Sequence, residues 1–229
     1  MNLIETFYRI FGYRKESLLG DSNSLEKSLT YKKVRTRKER TNEYIDLSGS
    51  HEICQGRIGA CGCATLAGIC QDEIVKITKD KNIEVNWKKA WQEMKTLGIA
   101  DDSKGSYLSD NLWYGVNVGF EDNRGLRWKI TAIEKISRIE IEHYVRMGYQ
   151  IYTGSRICRP MCDRFWTFKT LGVKIGGHAF RIIGKSVRRL LAETTWKNFG
   201  YKKESQFFIN PDDTNRLFTC YVMNWKSSE

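Results

Sequence analysis

The sequence predicts an α+β protein whose helices come first in the chain and whose strands follow. Apolar residues recur at helical spacing up to about residue 147, and from Tyr149 onward the pattern becomes that of short strands. Helices followed by strands, without alternation, are typical of the α+β class. The 229 residues suffice for one domain with a sizeable core, and a hydrophobic content of 41% indicates a folded chain.

The domain itself is predicted to start near residue 43 with a short strand-like entry. Four helices then follow, of which the last two end at Gly119 and Gly148, as glycine favours a helix C-terminus. The predicted helices cover about 61–79, 87–97, 108–118 and 139–147, and the predicted strands cover 149–153, 178–183, 189–193, 206–209 and 217–223.

Residues 1–42 are interpreted as an extension, and residues 43–229 as the main domain. The apolar spacing of residues 2–13 predicts a short amphipathic helix. Residues 32–40 carry a net charge of +5, from six basic side chains and one glutamate, out of +11 for the whole chain. Such a run is usually a solvated segment. A processing site, an inhibitory propeptide-like extension and a tether to nucleic acid or another acidic partner stay open, with nucleic acid not favoured.

Seven cysteines at irregular spacing argue against a secreted disulfide scaffold and for reduced thiols in a cytoplasm, the host cytoplasm if a phage encodes the protein. The N-terminus has no secretory pattern, and no apolar stretch is long enough for a membrane span. Cys158 and Cys162 form only a weak zinc pattern, with Cys54 or a histidine. We therefore expect no metal, no organic cofactor and no membrane association.

The residues that most clearly indicate a chemical function are Gln55 and Cys61. Gln55 precedes Cys61 by six residues, and the small and apolar residues that follow place Cys61 at the start of a helix. A helix N-terminus stabilises a thiolate, and a glutamine amide together with the Cys61 N–H can form an oxyanion hole. A distant histidine, His178, lies on an apolar strand between small residues. A cysteine nucleophile with such a base suits acyl transfer.

Five motifs in the same order resemble papain-like cysteine peptidases. They are the Gln-Gly-x-x-Gly-x-Cys run at 55–61, the entry at 43–46, Gly105-Ser106-Tyr107, Gly177-His178-Ala179, and Thr194-Thr195-Trp196 with the strand at 206–209. The resemblance covers most of the chain. It implies a two-lobe fold, with a helical lobe carrying Cys61 and a β-rich lobe carrying His178.

What the resemblance implies for function is an endopeptidase acting on a peptide or protein substrate. Cys61 and His178 would form a thiolate–imidazolium pair, Gln55 would donate to the oxyanion, and Thr194 would orient the imidazole. Gly105, Ser106 and Gly177 would line the substrate cleft, and Trp196 would shield the contact that His178 makes.

Three positions depart from the family pattern. Gly62 replaces the tryptophan that usually follows the nucleophile, Ile58 replaces a disulfide cysteine, and Thr194 replaces the orienting asparagine. Glu193 and Asn198 are candidate substitutes for that asparagine, although strand alternation would point Glu193 to the opposite face. His51 is a fallback base, and His143 is expected at the surface.

Two alternatives stay open. The same thiol chemistry serves an acyl-transfer or isopeptide-cleaving enzyme. A catalytically weakened scaffold that binds nucleic acid or an acidic protein would account for Thr194, Gly62 and the positive charge.

Overall fold

Four α-helices and one eight-stranded antiparallel sheet make up the part of the chain that the structure, a computed structural model, describes. The described residues are 25, 28–49, 53–56, 58–159, 168, 173–196 and 205–228. The amphipathic helix predicted at 2–13 lies outside them. No helix within the described ranges is both long and apolar enough to cross a membrane.

The helices lie where the sequence predicts them. They are α1 (Cys61–Thr78), α2 (Trp87–Thr96), α3 (Leu108–Asn117) and α4 (Ile141–Arg146), the last preceded by a 3₁₀ turn at Arg138–Glu140. Gly119 and Gly148, just beyond α3 and α4, adopt φ values of +88° and +81°, which favour glycine. Helix α1 is buried on all sides from Cys61 to Ile74, which makes it the central helix of the protein.

The strands are β1 (Ile45–Asp46), β2 (Phe120–Glu121), β3 (Arg127–Ile136), β4 (Ile151–Arg159), β5 (Val173–Lys185), β6 (Leu190–Glu193), β7 (Gln206–Ile209) and β8 (Cys220–Ser228). Their order in the sheet is β2-β3-β8-β4-β5-β6-β7, and β1 pairs with β5. The strands predicted after residue 149 are all present, although β4 and β5 extend further than predicted and β8 begins and ends later than predicted.

Strands β2 and β3, which lie between α3 and α4, were not expected from the sequence. In β3 the register against β8 shifts between Ile130 and Ala132, as a β-bulge does. The buried residues of β3 are Trp128, Ile130, Ile133 and Ile136, spaced by two, three and three positions. The bulge accounts for the gap between Ile130 and Ile133, whereas Ile136 lies on the other face of the strand and packs in a different apolar cluster from the other three. This spacing hides the period of two that identifies a strand.

The described residues pack around two large apolar clusters, which correspond to two lobes. The first cluster joins α1, α2 and α3 to side chains of β3 and β8, such as Ile133 and Met223. The second cluster fills the space between α4 and the sheet, with Val145, Phe180 and Phe207 among its members. The fold is therefore of the predicted α+β, two-lobe kind.

The N-terminal segment, which we define as residues 29–40, lies against this body. Leu29 belongs to the first cluster and Val34 to the second. The Lys32 N–H donates to the Ile133 carbonyl at 2.7 Å, and the Arg40 N–H donates to the Arg146 carbonyl at 2.8 Å. The division of the chain at residue 42 stays a prediction, since cleavage or independent folding is what would show it.

A buried ionic network connects α1 to the sheet. Arg181 of β5 donates to Asp72 of α1 at 2.9 Å and to Glu193 of β6 at 2.5 Å. Gln150 accepts from Arg181 at 3.1 Å and donates to Asp72 at 2.7 Å. Burial disfavours the charged guanidinium, but Glu193 and Asp72 outweigh that effect and raise the pKa of Arg181. The Arg181 guanidinium packs against Gly68. A Cβ at position 68 would lie only 3.0 Å from the guanidinium, so glycine leaves the room that the side chain needs.

We predict that Arg181→Met lowers the free energy of unfolding by about 3–5 kcal/mol, since it leaves two buried carboxylates without their cation. Urea denaturation at pH 7 measures this effect. Arg188→Met is the matched control, because Arg188 is exposed and the change should stay within about 0.5 kcal/mol. Equal stability of the two variants would contradict the role given to the network.

Candidate active site

Cys61 is the first residue of α1, and the loop before it is fixed by close backbone contacts. The Gly59 N–H donates to the Asp102 carbonyl at 3.2 Å. A Cβ on Gly59 would lie 2.9 Å from that carbonyl oxygen and 3.1 Å from the Gly105 Cα, so the approach requires glycine. The loop that presents Cys61 is thereby joined to the turn that ends at Gly105.

His178 lies on β5, and its ring is held from two directions. Its Nε2 atom is 2.6 Å from the Thr194 Oγ1, just after β6. The Trp196 ring stacks on the imidazole, with centroids 3.8 Å apart and planes 23° from parallel. The hydrogen bond and the stacking together fix the orientation of the imidazole.

The thiol of Cys61 lies against the residue that follows His178. The backbone N–H groups of Ala179, Gly62 and Cys61 all act on this thiol in the sense that favours the thiolate. One turn further along α1, the Thr65 hydroxyl donates to the Ala179 carbonyl at 3.3 Å. The start of α1 and the His178 region of β5 are therefore in direct contact.

Burial shifts the pKa values of both groups toward their neutral forms. It raises the pKa of Cys61 to about 11, despite the three backbone N–H groups that lower it. Burial also lowers the pKa of His178 to about 3. A thiolate is costly in a site closed to water, and so is an imidazolium. In this closed geometry both shifts favour a neutral thiol and a neutral imidazole over the ion pair that the resemblance implies.

Gln55 is buried and bound at both ends of its amide. Its Oε1 accepts from the Thr195 hydroxyl at 2.5 Å, and its Nε2 donates to the Ile58 carbonyl at 2.8 Å. Its backbone N–H also donates to the Thr195 carbonyl at 3.1 Å. These three hydrogen bonds hold the amide in one orientation beside the loop that leads to Cys61. Sequence reasoning missed the role of Thr195, because one threonine carries no signal of its partner.

The structure explains why residue 62 is glycine. A Cβ on Gly62 would lie 2.4 Å from the Asn111 Nδ2 and 3.1 Å from the Tyr152 hydroxyl. The Asn111 Nδ2 donates to the Ser106 hydroxyl at 3.0 Å and to the Tyr107 carbonyl at 2.5 Å. Asn111 of α3 therefore takes the space beside Gly62, the neighbour of Cys61, and holds the Gly105–Ser106 segment. Nothing in the sequence pointed to this residue.

The other residues singled out in the sequence have varied outcomes. Gly177 lies on β5 beside His178, opposite the exposed Arg156 of β4. Glu193 faces away from the imidazole and binds Arg181, as strand alternation predicted. His143 is exposed and lies 3.0 Å from a carboxylate oxygen of Glu39. His51, Cys162 and Asn198 lie outside the described residues.

Within the described ranges, no group of three His, Cys, Asp or Glu side chains could hold a metal ion. The six cysteines found there form no disulfide with one another. The described site therefore consists of a thiol, an imidazole and the amide and hydroxyl groups that surround them.

Comparison with solved structures shows a papain-like fold. The chain is similar to the cysteine protease xylellain from Xylella fastidiosa, with a TM-score of 0.71, 14% identity and coverage of 94% of this chain and 96% of that one. It is also similar to procathepsin B S9 from Trypanosoma congolense, with a TM-score of 0.70, 10% identity and coverage of 97% and 89%.

A third similar structure is procathepsin L2 from the larval midgut of Tenebrio molitor, with a TM-score of 0.65 and 14% identity over 98% of this chain and 81% of that one. No protein family model matches the sequence, and no curated protein does either. At these identities the likeness extends to the fold alone.

The depressed pKa of His178 predicts a loss of stability in acid. An unfolded histidine takes up a proton near pH 6.5, whereas burial lowers the folded pKa to about 3. Between these values the unfolded chain binds more protons, so the free energy of unfolding falls by about 1.4 kcal/mol per pH unit as the pH decreases.

Urea denaturation at pH 7.0 and pH 4.5 should therefore show about 2–3 kcal/mol more loss of stability for the wild type than for His178→Gln, which cannot be protonated. Carboxylates contribute equally to both proteins and cancel in the difference. The same pH dependence in the two proteins would contradict a buried, neutral His178.

Proposed function

We propose that this protein is a cysteine peptidase that hydrolyses peptide bonds with Cys61 as nucleophile and His178 as base. The papain-like fold supports the peptidase class. The observation that carries the assignment is that Cys61 opens the buried α1 while its thiol lies against Ala179, the neighbour of a histidine bonded to Thr194. No cofactor takes part in the proposed reaction.

In the first step, His178 acts as a general base. With Nε2–H donating to Thr194, the lone pair of Nδ1 accepts the thiol proton as the Cys61 sulfur attacks the scissile carbonyl carbon. The neutral resting pair thus gives way to an imidazolium and a tetrahedral oxyanion as the S–C bond forms. Thr194 is a positioning residue, because a hydroxyl that accepts from Nε2 keeps Nδ1 free of its own proton.

The tetrahedral oxyanion is stabilised by the Cys61 N–H at the start of α1 and by the Gln55 amide. Each such donor is worth about 3–4 kcal/mol in the transition state. The C–N bond then breaks, and the imidazolium gives its proton to the leaving amine. A water molecule, deprotonated by His178, hydrolyses the thioester and regenerates the thiol.

The substrate chain is proposed to lie across Gly105 and Ser106 on one side and Gly177 on the other. Gly59 and Asn111 fix the first of these segments relative to the nucleophile. Trp196 covers the imidazole and excludes water from its bond to Thr194. A dry hydrogen bond is electrostatically stronger than one exposed to solvent.

Hydrolysis of a fluorogenic peptide library by the reduced protein tests the proposal. We expect turnover in the wild type and none in Cys61→Ala, with far-ultraviolet circular dichroism unchanged. Thr194→Val should reduce kcat by about 10–100-fold, the equivalent of one hydrogen bond to a charged group. Turnover retained in Cys61→Ala would exclude the proposed nucleophile.

Thr194→Asn is the matched control for the valine variant. An amide oxygen accepts from Nε2 as a hydroxyl does, so this variant should keep at least the wild-type kcat with KM little changed. If the valine variant keeps the wild-type rate, Thr194 has no positioning role, whereas loss of activity in both variants would mean that position 194 matters through packing alone.

A further inference from the structure

We propose that the N-terminal segment is a binding surface for single-stranded nucleic acid, separate from the peptidase cleft. Its basic side chains lie on a backbone that is anchored to the folded body. Five of them are exposed, and none of the five forms an ion pair with another described residue: Lys32, Lys33, Arg35, Lys38 and Arg40.

Contacts with the folded body hold the backbone of the segment in place, so its basic side chains have fixed relative positions. Val34 is buried, and Lys33 and Arg35 on either side of it are exposed. The Tyr149 hydroxyl donates to the Arg35 carbonyl at 2.6 Å. Arg37, the basic residue that turns inward, donates to Glu73 at 2.8 Å and lies 3.9 Å above the Tyr149 ring. The exposed cations therefore need no ordering of the backbone when they bind a ligand.

Three of the acidic groups near this segment make contacts elsewhere, and a fourth, Glu140, lies close enough to Lys33 for that charge to help lower the pKa of Glu140. Glu39 contacts His143, Glu73 binds Arg37 and Lys76, and Glu134 accepts from the Val34 N–H and the Tyr144 hydroxyl. Lys135, exposed on β3, adds a sixth cation near Tyr31, with its Nζ 6.0 Å from the ring centroid. Six exposed cations outnumber these nearby carboxylates, so the surface offers an excess of positive charge to an anionic chain.

Aromatic rings favour nucleic acid over an acidic protein as the ligand. Tyr31 and Tyr44, at the two ends of the basic run, are 37% and 40% exposed. One face of the Tyr31 ring stacks on Tyr221, with centroids 6.3 Å apart, so Tyr44 is the ring that the test addresses. Single-stranded nucleic acids bind where cations follow the backbone and aromatic rings stack on bases. An acidic peptide lacks a flat ring in each residue and therefore cannot stack on the tyrosines as successive bases can.

The surface is remote from the nucleophile. The segment contacts α1 at Glu73, twelve residues after Cys61, which is about 18 Å along the helix axis. Bound nucleic acid would therefore leave the cleft open. The peptidase would be held on a nucleic acid or on a nucleoprotein substrate while it stays active.

Fluorescence anisotropy with a labelled 20-nucleotide DNA strand, from 50 to 300 mM NaCl, tests the proposal. The triple variant K33Q/R35Q/K38Q should bind at least tenfold more weakly at 100 mM NaCl. For this variant, the plot of log binding constant against log salt concentration should be less steep by about 2, which is about 0.7 for each of the three lost phosphate contacts. Tyr44→Leu should weaken binding about fivefold or more, and an unchanged affinity would overturn the stacking part of the proposal.

The matched control is K81Q/K88Q/K104Q, which removes three exposed lysines from the helical lobe. It changes net charge equally and should keep the wild-type affinity within twofold. No binding at 50 mM NaCl, or equal weakening of the two triple variants, would overturn the proposal. It would also be overturned if polyglutamate of equal charge competes as well as unlabelled DNA, which would identify an acidic protein as the ligand.

Discussion

The ionic network centred on Arg181 is the constraint on which the arrangement of the site depends. Its three charged groups come from the helix that begins with Cys61, the strand that carries His178 and the strand that ends just before Thr194. Buried charges are stable only at good geometry, so the network tolerates little displacement of these elements. The network therefore helps to fix the relative positions of the thiol, the imidazole and the hydroxyl.

Around that frame, the departures from the family pattern are matched by compensating contacts. Asn111 fills the volume beside Gly62 and fixes Ser106, and Thr195 orients the Gln55 amide. Thr194 makes a short hydrogen bond to His178 beneath the stacked Trp196. The site thus brings together a thiol, an imidazole with a hydroxyl partner and a side-chain amide, the groups on which the proposed acyl transfer relies.

Much of the fold could be predicted from the sequence, because the spacing of the apolar residues and the positions of the terminating glycines indicate the same elements along most of the chain. The central helix, the glycines after α3 and α4, and the strands β5 to β7 are examples. Strand β3 was hidden because its bulge changes the spacing of Ile130 and Ile133. At the site, the motifs around Gln55, Cys61 and His178 predict a thiol–imidazole pair with an amide donor, which stays a prediction. Arg181, Asn111 and Thr195 could not be found, since their partners are distant in sequence.

Cys61 and His178 are proposed to form one reactive pair. Labelling of the reduced protein with a peptidyl vinyl sulfone at pH 7, located by peptide mass spectrometry, tests that claim most directly. We predict labelling at Cys61 alone. In His178→Ala the labelling rate should fall by about 100-fold or more, which is the rate effect expected from the loss of a general base. Iodoacetamide on the unfolded protein serves as the control for intrinsic reactivity. Labelling spread over several cysteines, or an unchanged Cys61 rate in His178→Ala, would contradict the account.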